Sequence, residues 1–320
     1  MEDLTGDSSQ FPTGDLNQYN EIVNRVTYLA KIFYETKTMM PSFTGEFTTY
    51  DSLRFNIETS NTSNSCIYVQ DFNSLSLYNT ILKDENKKSL LVHSACATNR
   101  GGGAKEGYDT VEAELCRRTN YWKALRNIEH NYPLSNGTVN YITDVITFRS
   151  IEYKKLKSPY NIDICSIVIP NSPSYYFDNN IEKYERQRDY DVTLKTLEYV
   201  FYLAKNKGYD NIIFDNVGIG KDRHPVHGFI ECMKQATSII QDVEIYYLIP
   251  RGTTRGEGKY QRRNWITVTN ELDNSGIDLT DQEPPEDESE LTQRFTRKSK
   301  KSELSQKAND GISDSDNDSN

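Results

Sequence analysis

The chain has 320 residues, a formal net charge of −10, and a hydrophobic fraction of only 36%. That length holds one large or two ordinary domains, and so low an apolar fraction implies that part of it is unfolded polar sequence. The acidic balance argues against a general nucleic-acid binder, because phosphate backbones are held mainly by Lys and Arg.

Residues 1 to 18 read as a loose leader rich in Gly, Ser and Asp, acidic and without the apolar core of a secretory signal. Ile22, Val26, Leu29, Ile32 and Phe33 recur at helical spacing and predict a helix over 19–34. The stretch 39–65 is dense in Thr, Ser and Asn and reads as loop. Strands are expected at 66–69 and 89–93, with a helix near 74–82 between them. Gly101-Gly102-Gly103 follows the second of these strands. Val111, Leu115, Trp122, Leu125 and Ile128 then mark one face of a helix that ends near Tyr132-Pro133.

Asn136-Gly137 is a turn signal, followed by a short strand at 144–148 and a stronger one at 163–169 stopped by Pro170. A charged amphipathic helix is expected over 181–206, terminated by Gly208. The strand 211–214, the loop Gly218-Ile219-Gly220, a helix over 225–240 and a last strand at 243–249 complete the pattern. Beyond 269 the composition changes to Pro-Pro, an acidic patch, a basic cluster (Arg297 to Lys301) and an Asp/Ser terminus. Residues 270–320 therefore read as a disordered charged tail, leaving one domain at 19–269.

Several strands are continuous apolar runs, the mark of a sheet covered by helices on both faces. The alternation of strand and helix predicts a three-layer α/β/α sandwich. No run approaches the ~18 apolar residues of a membrane span, so no membrane association is expected and a cytoplasmic or nuclear location is. The five cysteines are widely spaced, with no CxxC pair, and read as reduced thiols. His224 and His227 lack the further partners that a metal site needs.

Two glycine loops each follow a strand and precede a helix, and such loops line one crevice of an α/β sheet. Glycine admits positive φ and lets backbone N–H groups approach an anion, while the following helix adds the positive end of its dipole. Gly101-Gly102-Gly103 and Gly218-Ile219-Gly220 together suggest a diphosphate clamp. There is no G-x-x-x-x-G-K-[ST], which excludes P-loop phosphate binding, and no G-x-G-x-x-G at the first strand–helix junction, which argues against a dinucleotide dehydrogenase.

Asn99-Arg100 and the three glycines, a seven-residue spacer, then Val111-Glu112-Ala113-Glu114-Leu115-Cys116-Arg117 resemble the signature of the microbial-type poly(ADP-ribose) glycohydrolases. That signature is a triple glycine, six to eight residues, then Gln-Glu-Glu opening a helix. Asp144 to Arg149, Ile164 to Asn171 and Gly208 to Gly220 are similar to further segments of the family, in the family's order. The resemblance implies a macrodomain-like sandwich with a mixed sheet, taking ADP-ribose or poly(ADP-ribosyl)ated protein as partner, with no cofactor and no metal. It further implies that Asn99 and Gly101, Gly102 and Gly103 hold ribose and diphosphate, with Gly218 and Gly220 as the second phosphate loop.

The departure lies where the chemistry should be. Val111-Glu112-Ala113 falls on Gln-Glu-Glu, so Glu112 takes the ribose-binding place and Ala113 that of the general acid. Alanine has no proton to give, and losing such an acid typically costs ~10²–10⁴ in rate. Glu114 replaces it only with an eight-residue spacer. Three functions are thus expected: ADP-ribose binding with impaired hydrolysis, an active glycohydrolase using Glu112 or Glu114, or a non-catalytic interaction scaffold. A ring to stack on the ligand is expected from Tyr175, Tyr176 or Phe177, since Ile219 and Asp222 stand where the family has cysteine and an aromatic residue.

Overall fold

The continuous apolar runs become the inner strands of a seven-stranded sheet. We describe a computed structural model covering residues 13–57, 65–85, 87–252 and 258–275. The strands are β1 (Phe47–Asp51), β2 (Cys66–Gln70), β3 (Ser89–Ser94), β4 (Thr138–Arg149), β5 (Lys155–Ile167), β8 (Asn211–Asp215) and β9 (Glu244–Leu248). Their order is β1-β4-β5-β3-β8-β9-β2. The pairs β5/β3, β3/β8, β8/β9 and β9/β2 are parallel, whereas β1/β4 and β4/β5 are antiparallel. The sheet is therefore mixed, as expected, and its parallel part runs from β5 to the β2 edge.

Successive side chains of a strand point to opposite faces, so each inner strand feeds two cores. Leu90, Val92, Ile212, Phe214, Ile245 and Tyr247 pack into one. Its cover is the helices α5 (Gln187–Lys207), α6 (Val226–Thr237) and α7 (Gly258–Leu272). Leu91, Ile164, Ile213 and Tyr246 pack into the other. It lies under α1 (Thr13–Met39), α2 (Ser74–Glu85), α3 (Val111–Arg118) and the single turn α4 (Tyr121–Ala124). Helices on both faces of a mostly parallel sheet make the expected α/β/α sandwich.

Some elements differ from the sequence reading. The first helix starts at Thr13, inside the stretch read as leader. The loop-like stretch 39–65 contains β1, held by pairing with β4 rather than by its own apolar content. The long helix expected from Val111 stops at Arg118. Asn120 breaks it, its side chain accepting from Ile146 N at 2.8 Å and donating to Ser42 O at 3.1 Å. The chain resumes as α4 and a 3₁₀ stretch, Leu125–Asn131, which keeps the same apolar face inward. Where a helix was expected from 181, a hairpin of β6 (Tyr175–Asp178) and β7 (Ile181–Tyr184) forms first. Its turn residues Asn179 and Asn180 take φ of 50° and 69°, the left-handed region that Asn tolerates.

α7 lies beyond the last predicted strand and buries Trp265, Val268 and Leu272. The residues after it close on β2: Asp273 and Asn274 side chains accept the N–H groups of Val69 and Ile67 at 2.8 and 2.6 Å. The rest of the segment read as a tail, 276–320, lies outside the described residues, as do residues 1–12 of the leader.

Candidate active site

Strands β2, β3, β5 and β8 all end on one side of the sheet, and a cavity of about 590 Å³ opens there. This is where a doubly wound sheet offers backbone to a ligand, just outside the carboxyl ends of its strands. Phe72 to Leu75 after β2, Ser94 to Asn99 after β3, Asn171 after β5 and Asp215, Asn216, Lys221 and Asp222 at the end of β8 form its walls. Across the mouth run Tyr108 to Val111, and α3 presents Glu112, Glu114, Leu115 and Arg118.

The triple glycine is a left-handed turn: φ is 76° at Gly101, 58° at Gly102 and 82° at Gly103. Side chains rarely adopt such values. Space forbids them too, since a Cβ on Gly101 would lie 2.5 Å from the Trp122 ring and one on Gly102 2.5 Å from Thr110 Oγ1. Of the three, Gly102 faces the cavity, while Gly101 rests on Trp122 and Gly103 lies under the Tyr108 ring. Thr110 ties this turn to the helix. Its hydroxyl donates to Gly102 O at 2.9 Å and accepts from Ala113 N at 3.1 Å, capping α3.

Glu112 is 2% exposed, and its carboxylate accepts from Cys96 N at 2.7 Å and Gly101 N at 3.1 Å. It thereby pins the loop after β3 to the glycine turn. Burial pushes its pKa up to about 8, against the opposing pull of those two N–H groups. Glu114, one position past Ala113, accepts from Tyr153 Oη at 2.6 Å and lies 3.4 Å from Arg117 Nε and 3.8 Å from Arg118. Ala113 itself is fully buried among apolar residues and is not part of the cavity wall. On a helix its side chain points about 140–160° away from Val111, Leu115 and Arg118, which do line the cavity.

The β8 loop reaches the cavity through side chains that flank its glycines. Asp222 accepts from Ser94 Oγ at 2.5 Å and Gly218 N at 2.9 Å, joining the ends of β3 and β8. Burial raises its pKa, opposed by those two bonds. Asp215 is pushed up to about 6, first by burial, with Glu114 adding to the shift and Ser74 and Arg118 opposing it. Gly218 and Gly220 are not in the wall: Gly218 packs on Phe229 and Gly220 on the Asn216 side chain.

The sequence-based candidates are therefore only partly brought together. Asn99, Gly102, Glu112 and Glu114 line the cavity, and Gly101, Gly103, Gly218 and Gly220 shape its loops from behind. Tyr175, Tyr176 and Phe177 are exposed on the β6/β7 hairpin and do not line it. The ring that does reach it from the glycine side is Tyr108. His224 is buried, 2.6 Å from both Tyr184 Oη and Pro170 O, and no group of three metal-binding side chains occurs among the described residues. Tyr108, Asp215, Lys221 and Asp222 were missed as cavity residues. Their only signal was adjacency to the glycine loops or to the end of a strand.

Solved structures share this architecture. The glycohydrolase of Thermomonospora curvata superposes with a TM-score of 0.59 at 14% identity, over 74% of this chain and 99% of that one. The fold is that of the microbial-type poly(ADP-ribose) glycohydrolases. The model of that family's catalytic domain matches residues 17–149, which include the triple glycine and α3. The Thermomonospora glycohydrolase bound to the inhibitor ADP-HPD matches at 15% identity and a TM-score of 0.59, over 75% of this chain and 99% of that one. The Deinococcus radiodurans glycohydrolase in complex with ADP-ribose matches at 14% and 0.51, over 75% and 97%. No curated protein sequence matches the chain.

Proposed function

We propose that this chain binds ADP-ribose in the cavity and is impaired in hydrolysing its polymers. The observation that carries the reading is the clamp. Gly102 faces the cavity from a turn that only glycine fits, held by the buried Glu112 and the cap of α3, with the β8 loop opposite. Glycohydrolases of the same fold were solved with ADP-ribose and with ADP-HPD, which supports that ligand class.

The state of Glu112, Ala113 and Glu114 supports impairment. Ala113 carries no ionisable group and lies in the apolar cluster. Glu114 is occupied by Tyr153, Arg117 and Arg118, and both oxygens of Glu112 accept backbone N–H groups. One observation favours the active reading instead. A carboxyl with a pKa of about 8 holds its proton at neutral pH, and glycosidic cleavage needs such an acid beside the leaving oxygen.

Calorimetry with ADP-ribose and turnover on poly(ADP-ribosyl)ated protein separate these functions. Binding to wild type, its loss in Gly102→Glu, and no release of ADP-ribose are the expected results. Rapid release that Glu112→Gln abolishes would overturn impairment in favour of the hydrolase. Absence of heat with wild type would leave the interaction scaffold.

A further inference from the structure

The wall of the cavity contains two cationic side chains, Arg118 and Lys221. Arg118 is 2% exposed and committed: it donates to Asn73 Oδ1 at 2.8 Å and Arg149 O at 3.3 Å, and lies 3.8 Å from Glu114. Lys221 directly follows Gly220 at the exposed rim. Its ammonium donates to the backbone carbonyl of Asp109, on the segment between the triple glycine and α3. The neighbouring carboxylate is already taken, since Asp109 pairs with Arg25 at 2.6 Å. Among the described residues Lys221 forms no ion pair.

A lysine that spans a cleft to reach a neutral carbonyl is poorly matched to its charge. Burial lowers its pKa, Arg117 acts in the same direction, and Asp109 opposes them. The aliphatic stem is flexible and the head is a compact point charge suited to phosphate. Gly102, Asp109 and Thr110 line the same cavity as Lys221, so an anion bound by the glycine turn shares that cavity with the ammonium.

We propose that Lys221 is the counter-charge for the ligand's diphosphate, exchanging the Asp109 carbonyl for phosphate oxygens when the ligand enters. This rests on the ADP-ribose reading above. In the free protein the same contact latches the segment 103–110 to the β8 loop. Selectivity for an anionic ligand over a neutral nucleoside is the consequence.

The test is calorimetry on wild type, Lys221→Met and Lys221→Arg with ADP-ribose, inorganic pyrophosphate and adenosine as probes. Equal melting temperatures establish that the variants fold. The Met variant is expected to weaken ADP-ribose and pyrophosphate about 10-fold, the loss of one charge-assisted bond at a wet rim. Arginine should restore most of that, and added salt should weaken wild type more than Lys221→Met. ADP-ribose binding by Lys221→Met within about twofold of wild type overturns the assignment. If wild type takes pyrophosphate in a Lys221-dependent way but not ADP-ribose, the ligand reading falls and the anion site stands. Binding of neither by wild type defeats both.

Discussion

Glu112 is buried, and its ionisation is coupled to folding. The folded carboxyl titrates near 8, against an ordinary value of 4.5. Between those values the native chain holds a proton that the unfolded chain has lost, so stability falls as pH rises through the window and levels off above it. Glu112→Gln should flatten this limb, since an amide does not titrate there. Thermal melts of both proteins between about pH 5 and about pH 8.5 measure it. The Gln variant starts less stable at low pH, because its amide accepts from only one of the two N–H groups that Glu112 satisfies. An unchanged slope would show that Glu112 ionises in the fold as it does in water.

At the scale of elements, α3 is short, and one residue joins its first turn to the triple glycine. Thr110 satisfies Ala113 N and Gly102 O together. Thr110→Ala is expected to cost about 1–2 kcal/mol in denaturant unfolding, a lost cap plus an orphaned carbonyl. Thr110→Ser, which keeps the hydroxyl, should lose much less. Equal losses would mean that the methyl group's packing matters and the cap does not.

The inner strands were legible because a strand buried on both faces is an uninterrupted apolar run, as in Leu90-Leu91-Val92 and Ile212-Ile213-Phe214. The first half of β5 was not, because Lys155, Lys157 and Pro159 lie at its exposed end and mask a pairing set by β4. The β6/β7 hairpin was hidden by its charged neighbours, although Asn179-Asn180 was a usable turn signal. At the site, the glycine turn was readable from residue type and position, and Glu112 only through the family resemblance. The direction of Ala113 and the reach of Lys221 were not, since each depends on how α3 and the β8 loop are set against the sheet. Tyr175 to Phe177 show the converse: sequence proximity to the end of β5 placed them near the cavity, and the hairpin carried them away.

Over the whole molecule, two buried histidines join separate elements and resist taking up protons in acid. His93 on β3 contacts Tyr121 Oη at 3.2 Å, and His224 lies between Tyr184 and Pro170. Because Pro170 O can only accept, His224 Nε2 carries the proton and Nδ1 accepts from Tyr184. Burial lowers both pKa values to about 4, opposed by backbone bonds to Ser94 and Pro170. Between 4 and the ordinary 6.5 the unfolded chain binds protons that the native one refuses, so the histidines' share of stability drops as pH falls through that range. The raised carboxyls of Glu112 and Asp215 act in the opposite direction over the same range. Urea midpoints should therefore fall more steeply between about pH 7 and about pH 5 in Glu112→Gln than in wild type. Equal slopes in the two proteins would mean that Glu112 does not oppose the histidines.

The short segment after α7 has a consequence for how copies of this protein meet. β2 is the outer strand of the sheet, and an outer strand with open N–H groups is a template on which a second chain can add. Asp273 and Asn274 occupy those donors at Val69 and Ile67, and they set two carboxylate or amide oxygens where an incoming strand would need to place its own carbonyls. The sheet is thereby closed to growth on that side, and a molecule cut short just after Leu272 would regain a sticky border and, with it, a route to self-association.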